Sequence, residues 1–433
     1  MAKLTPENRL SPQPPAVARR DVVRTVAASS EAGDHARVPG AALAGRLTGL
    51  LNGPGAPINA VVIDAVTRRP LFERNASRPA TPASTTKLVT SVAALAALGP
   101  AHRIATRVVK ANGNGIVLVG GGDPTLTALP RAGGGHPVFA SLGELARQTA
   151  AGLKASGVRR VRVDYDVSAY QGATTAPGWK PNYLPDGEVA PLTALTVDEG
   201  RVSPGNDEVK SRVADPAKAG TASFLRLLRQ YGVAAVPGRR TVAPKSAAAL
   251  GAVQSPTVAE LVEHLMTVSD NDVAEAMIRQ VAIKLGKPAS FGGGAQAVRE
   301  VLSRLGAADG VLTYDGSGLS TGNRITPMAL ARLASLAASP ERPELRAAIT
   351  GMPVAGFTGT LSPPRYTGPS SQGGAGVVRA KTGTLSGVST LAGVAHDADG
   401  RLLAFAFMAG DGKGPVDPGK LDQLAAAVAT CGC

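Results

Sequence analysis

The sequence predicts an α/β sandwich, an antiparallel sheet flanked by helices, with a second α/β domain inserted after the first core helix. Three observations predict it. Strand-like runs gather at both ends of the 433-residue chain, at 59–66 and 70–73 early and at 377–385, 390–396 and 402–408 late, so one sheet must take strands from both ends. Helical runs fill the stretch from 258 to 338. Between about 101 and 251 the character changes to short strands broken by Gly and Pro, as an inserted domain would be.

Each element has its own warrant. Residues 1–40, rich in Pro, Arg and Ser, read as a disordered tail. Residues 41–51 read as an amphipathic helix stopped by Asn52-Gly53-Pro54. The early strands are joined by Thr67-Arg68-Arg69, and a loop over 75–82 leads into a helix over 83–98 that Gly99-Pro100 ends. Leu88, Val92 and Leu95 make one stripe of that helix, Val89 and Leu98 widen it, and Ala fills most of the rest, so it should be buried on most sides. We assign 41–104 and 251–433 to the core domain and 105–250 to the insertion. The insertion reads as strands over 104–109, 115–119 and 158–163 with helices over 142–155 and 221–231. Helices over 258–268, 272–285, 294–305 and 327–338 follow. Asp397-Ala398-Asp399-Gly400 turns the last hairpin, and a final helix covers 417–429.

Composition excludes several function classes. The net charge is +14, but the 46 Lys and Arg are scattered and aromatics are only 3%, so no basic stripe interleaved with aromatics marks a nucleic-acid partner. The charge suits solubility or attraction to an anionic polymer, which salt would screen. Two cysteines, Cys431 and Cys433, and five scattered His offer no metal site, which takes about four ligands. Two thiols in a frayed tail are expected, a bond across one intervening residue being strained though possible. No run approaches the ~20 apolar residues of a membrane span. The first 38 residues lack the apolar core of an export signal. Phosphate-binding, dinucleotide-binding and zinc-protease fingerprints are missing, so no cofactor is expected.

Three short strings carry the chemistry: Ser84-Thr85-Thr86-Lys87, Ser269-Asp270-Asn271 and Lys381-Thr382-Gly383, each single-copy and in that order. Ser84 and Lys87 stand at i and i+3 of a helix start, so they share a face where free N–H groups favour a developing oxyanion. A hydroxyl attacks only once a base has its proton, and Lys87 is that base only when neutral. Lowering a lysine from ~10.4 to near 7 costs roughly 4–5 kcal/mol, which burial and a second cation supply; Lys381 is the candidate cation. On the turn between two helices, Ser269 is placed to relay the proton and Asn271 to orient Lys87 and the substrate amide. The same residues would also cap the following helix. Lys381-Thr382-Gly383-Thr384 ends a strand whose glycine admits close approach of a ligand. The Thr384 N–H then joins that of Ser84 as oxyanion donor, worth roughly 3–4 kcal/mol. Thr382, Thr384 and Ser386 are placed to hold a substrate carboxylate. The bland alternatives are a capped surface helix, a capped turn and an edge strand blunted by Lys.

With these strings in place the chain resembles the low-molecular-mass class C penicillin-binding proteins, the D-alanyl-D-alanine carboxypeptidase/endopeptidases. Gly120-Gly121-Gly122-Asp123-Pro124-Thr125-Leu126, Ala176-Pro177-Gly178-Trp179, Asp315-Gly316-Ser317-Gly318-Leu319-Ser320 and Ile325-Thr326-Pro327 extend the resemblance from about 41 to 429. It implies the β-lactamase-like fold and a cycle in which Ser84 attacks between two terminal D-alanines of the peptidoglycan stem. The last D-Ala leaves and water frees the acyl-enzyme. Cutting of cross-links is a second activity the family can show, and penicillin would acylate Ser84. Partners would be stem peptides and β-lactams, with anionic cell-wall polymers attracted by charge, and the place of action would be outside the cytoplasm. Many members carry two domains between the first two motifs; here Ser84 and Ser269 stand 185 positions apart, so the second is missing or reduced to a loop. A β-lactamase of class A type would need a Glu some 35–40 residues after the second motif, and 302–310 has none. A non-catalytic wall-binding module is the remaining alternative.

Overall fold

The computed structural model describes residues 40–52, 55–130, 137–206 and 208–432. The tail expected to be disordered lies outside these residues apart from Gly40, as do Gly53, Pro54 and Cys433. Helix α1 (Gly40–Leu51), strands β1 (Ile58–Asp64) and β2 (Pro70–Arg74) and, after a 3-10 turn at Ala83–Thr85, helix α2 (Thr86–Leu98) come first. Next are β3 (Ala105–Lys110), β4 (Gly115–Val119), α3 (Leu142–Ala155), β5 (Arg160–Asp166), α4 (Pro216–Gln230), β6 (Ala234–Arg240) and β7 (Ala249–Gln254). The chain continues through α5 (Val258–Val268), α6 (Asn271–Lys284), α7 (Phe291–Arg304), β8 (Val311–Leu312), β9 (Arg324–Ile325), α8 (Pro327–Ala338) and the single turn α9 (Ala347–Thr350). Strands β10 (Val378–Leu385), β11 (Val388–His396) and β12 (Leu402–Ala409) and helix α10 (Pro418–Ala429) close it.

The main sheet has the order β10-β11-β12-β1-β2 and is antiparallel throughout. Early and late strands do join, from Ile58 opposite Ala409 to Asp64 opposite Leu403. β12 is buried at every position from Leu403 to Ala409, on both faces of the pleat, so helices must cover both sides of the sheet. Helices α8 and α10 both pack against β11 and β12. β10 is the edge strand, joined to β11 by the two-residue turn Ser386-Gly387 with Leu385 opposite Val388. Helix α2 packs against α5, α6, α7 and α8, which explains why every side chain from Thr86 to Leu95 is buried.

A second sheet, β6-β5-β4-β3-β7, is drawn wholly from residues 105–254. Its β4–β5 and β5–β6 pairs are parallel and its other pairs antiparallel. β6 and β7 went unread in the sequence. β6 holds Pro237-Gly238 and is an edge strand, where a missing N–H and a missing side chain are tolerated. Helix α4 begins five residues before the expected 221, because Asp215 caps the Lys218 N–H and Pro216 takes the first helical position. Helix α7 likewise starts at Phe291, capped by Ser290, and runs through three glycines. Cys431 is disulfide-bonded, not the free thiol expected of a frayed tail. It is buried behind α10, and its carbonyl accepts the Ala398 N–H.

Candidate active site

The turn Ala83–Thr85 lifts Ser84 to the head of α2, with Ala83 forced to a positive φ of 47°. Ser84 stays partly exposed while Lys87, one turn on, is fully buried. The Lys87 ammonium group has three partners: Ser84 Oγ at 2.9 Å, Asn271 Oδ1 at 2.6 Å and the Ser317 carbonyl at 2.9 Å. Asn271 is fixed in turn, since its Nδ2 donates to the Glu188 carbonyl at 2.8 Å.

The second motif makes the turn from α5 to α6. Ser269 takes the left-handed conformation, φ 64°, a strained state for a residue with a side chain. Asp270 holds the turn by capping the Val273 N–H at 2.9 Å and facing His264 Nε2 at 3.3 Å. Asn271 is then the first residue of α6 and points at Lys87. Among the described residues Ser269 makes no hydrogen bond to Ser84 or Lys87, and it is partly exposed.

The third motif lies in the middle of β10, not at a strand end as expected; pairing with β11 runs unbroken from Val378 to Leu385. Gly383 packs against the head of α2. A Cβ there would sit 2.2 Å from Thr390 Oγ1, 2.8 Å from the Pro82 carbonyl and 2.9 Å from the Ser84 nitrogen. The backbone that needs this glycine is therefore the protein's own. The Ala380 N–H points away from β11 to the Pro353 carbonyl at 3.1 Å. Alternation along an antiparallel strand then turns the Thr382 and Thr384 N–H groups the same way, out of the sheet edge. Thr384 is exposed there, while the Thr382 and Thr360 hydroxyls bond at 2.7 Å. Ser386, on the hairpin turn, is exposed and accepts from Lys180 Nζ at 3.1 Å.

Electrostatics follow from burial. Burial pushes Lys87 down to about 8, against Asp270, Asp315, Glu275 and Asp272, which all favour its charged form. Lys381 is held well below the ordinary lysine range by burial, then by Lys87 and Arg365; its Nζ donates to the Thr382 carbonyl at 3.0 Å. Of the two causes expected to lower Lys87, burial and the Lys381 cation, burial is the one at work, and Lys381 is itself a group whose charge the site disfavours. Chemically, the arrangement presents a hydroxyl to a buried amine, beside backbone N–H groups from a helix head and a sheet edge.

One further cluster stands behind the second motif. Glu199, His264 and Asp270 bring their ligand atoms within 4.8 Å of one another. Arg201 and Arg212 already pair with Glu199, at 2.9 and 3.3 Å, so we read a charge network and assign no metal.

Residues 50–208 and 205–430 match the D-Ala-D-Ala carboxypeptidase 3 (S13) family. The chain belongs to this family. It is 37% identical over 383 residues to a carboxypeptidase of Mycobacterium tuberculosis, covering 86% of this chain and 80% of that one. It is 36% identical over 400 residues to the carboxypeptidase DacB of Mycolicibacterium smegmatis, covering 91% and 83%. A D-alanyl-D-alanine carboxypeptidase of an Actinomadura strain is 30% identical over 459 residues, 87% of this chain and 81% of its own. Penicillin binding protein 4 of Haemophilus influenzae has the same fold, with a TM-score of 0.69 at 22% identity over 90% of this chain and 98% of the other.

Within this S13 peptidase the structure joins Ser84, Lys87 and Asn271 by hydrogen bonds, Lys381 to Lys87 by charge, and Gly383 to Ser84 by close packing. Thr382 and Thr384 line the open edge of β10; Ser269 and Ser386 make no hydrogen bond to the Ser84–Lys87 pair among the described residues. Sequence reasoning gave no role to the Ser317 carbonyl, Glu275 or Thr360. A backbone carbonyl leaves no mark in residue type. Glu275 had a signal, since it stands four residues after Asn271 on the same helix face.

Proposed function

We propose that the chain is a serine D-alanyl-D-alanine carboxypeptidase of peptidoglycan stem peptides, with Ser84 as nucleophile and Lys87 as its base. One observation carries this: the bonding of Lys87 Nζ. Asn271 Oδ1 and the Ser317 carbonyl bear no proton, so each must take an N–H from the amine. In neutral Lys87 that uses both N–H bonds, and the lone pair is left facing Ser84 Oγ. Lys87 takes the hydroxyl proton as Ser84 attacks the carbonyl between the two D-alanines. The oxyanion is held by the N–H groups of Ser84 and Thr384, and the stem peptide lies along the free edge of β10 as an added strand. The D-Ala amine leaves with a proton passed through Ser269, and water then releases the acyl group from Ser84. Thr382, Thr384 and Ser386 receive the terminal carboxylate, beside Lys381. Residues 105–250 form an inserted domain on a core of 41–104 and 251–433.

Cross-link cleavage is the same reaction on a branched leaving amine and belongs to this reading. So does acylation by penicillin; one relative of this fold, from Haemophilus influenzae, is described in complex with a β-lactam. The net charge of +14 supports contact with anionic wall polymers, and a peptidoglycan substrate places the work outside the cytoplasm. No helix among the described residues is long and apolar enough to cross a membrane.

The test is intact mass after benzylpenicillin, with D-Ala release from a stem pentapeptide measured alongside. Wild type should carry one adduct and release D-Ala; Ser84→Ala should do neither. Penicillin hydrolysed without an adduct would favour a β-lactamase, and an inert wild type would favour a binding module.

A further inference from the structure

One helix sets both proton-free acceptors of Lys87, the first directly and the second through a loop that it holds. Asn271 is the first residue of α6. Glu275, one turn later and fully buried, accepts the Gly316 N–H on Oε2 at 3.0 Å and the Ser317 N–H on Oε1 at 2.8 Å. The Ser317 carbonyl is the one that meets Lys87. Residues 315–320 form no helix or strand, so these bonds set their course. Asp315 takes the Gly318 and Ser320 N–H groups at 3.1 and 2.6 Å, and Thr90 on α2 donates to the Gly316 carbonyl at 2.7 Å. The loop is wedged between α6 and the head of α2. A Cβ on Gly316 would lie 2.4 Å from the Ala274 carbonyl, and one on Gly318, whose φ is 89°, 1.9 Å from the Ala83 carbonyl.

We propose that Glu275 is a positioning residue for the acylation step: it fixes the Ser317 carbonyl and so aims the Lys87 amine at Ser84. The proposal rests on the acyl-enzyme reading above. Both carboxylate oxygens are engaged by N–H donors, so a neutral amide in their place presents an NH2 group to one of those donors and forces it away. The loop then shifts, the Ser317 carbonyl leaves Lys87, and one direction of the amine is freed to rotate. Glu275 also contributes charge. It faces Lys87 from α2, Asp315 from the loop and Arg279 on α6 itself, while Asp270 and Asp272 act on the same Lys87. Burial and then Asp315 raise Glu275 to about 8, so its charge is present only toward the alkaline end; there it favours the protonated form of Lys87, and removing it lowers the Lys87 midpoint only a little.

The experiment follows benzylpenicillin acylation of the full chain by intact mass from pH 6 to 10, with melting curves for each variant. Glu275→Gln should acylate about 10- to 100-fold more slowly than wild type at pH 8, as a misaimed base does. Glu275→Asp keeps the carboxyl group and both of its acceptor oxygens, so it should recover part of the rate that Glu275→Gln loses. A folded Glu275→Gln that acylates within about twofold of wild type, or a Glu275→Asp that recovers none of the lost rate while folding as well as wild type, overturns the proposal. Where Glu275→Gln does not fold, Thr90→Val decides: it removes the loop's anchor to α2 and touches no carboxylate, so wild-type acylation there overturns the proposal and a several-fold loss supports it. Ser84→Ala isolates the underlying reading. An adduct that survives in Ser84→Ala, or none on wild type, overturns that reading and the proposal with it.

Discussion

A lysine enclosed on every side serves as a base when two of its N–H directions end on oxygens that carry no proton. Asn271 and the Ser317 carbonyl do this for Lys87, and the third direction belongs to Ser84. Burial lowers Lys87 to about 8, so the neutral form dominates above that pH and the ammonium below it. Acylation should therefore climb about tenfold per pH unit below pH 8 and level off above it, read as the rate of adduct formation across pH. A flat profile from pH 6 to 9 would remove Lys87 from the role. Lys87→Ala should lose roughly 10²- to 10⁴-fold at the plateau, the usual share of a general base. The motif residues were legible in the sequence because residue type and spacing carry them. What fixes the lysine's direction was legible only in its Asn271 half, because the other half is a peptide carbonyl that any residue could supply at position 317.

At the scale of elements, the site is the meeting of a helix head, a turn and a strand edge, and Gly383 sets how closely the first and last approach. Gly383→Ala forces β10 away from Ser84, because its Cβ would stand 2.9 Å from the Ser84 nitrogen and nearer still to Thr390. It should cost about 1–3 kcal/mol in urea unfolding, the usual penalty of overpacking. Penicillin acylation should also fall by at least about tenfold, since the Thr384 N–H proposed as an oxyanion donor is displaced. Unfolding and acylation both unchanged would show that the approach is not needed. Elements whose side chains decide their fate were legible: α3, α5 and α8 match the sequence reading end to end. β6 and β7 were not, because edge strands owe their existence to a neighbour's hydrogen bonds and tolerate Pro and Gly.

In the molecule as a whole, the segment from Glu188 to Arg212 is bound to the second motif. Asn271 donates to the Glu188 carbonyl, Asp272 accepts the Ala190 N–H at 2.9 Å and pairs with Arg212 at 3.3 Å, and Glu199 faces His264 and Asp270. Burial works against charge on both His264 and Asp270. Their mutual bond still raises His264 and lowers Asp270 to about 2. The raised His264 stabilises fully below the free value of ~6.5 and loses its effect as pH rises through its folded value. The lowered Asp270 stabilises above ~3.9 and loses its effect as pH falls toward 2. Burial lifts Glu199 to about 7, so its ionisation adds to the loss on the alkaline side. The melting temperature lost in His264→Gln should thus be largest between about pH 4 and 6.5 and shrink on either side. A loss constant from pH 3 to 9 would leave the histidine a packing role only.

The turn Ser386-Gly387 is two residues long, and this makes the third motif a matter of counting as much as of chemistry. Leu385 stands opposite Val388, and every pair back to Val378 and Ala395 is measured from that point. One residue added or lost there slips the strand by a single step, which exchanges its two faces. Lys381 would then turn outward and Thr382 inward, with no letter of the motif altered. Such a lineage is free to vary its alphabet around this hairpin far more readily than its length.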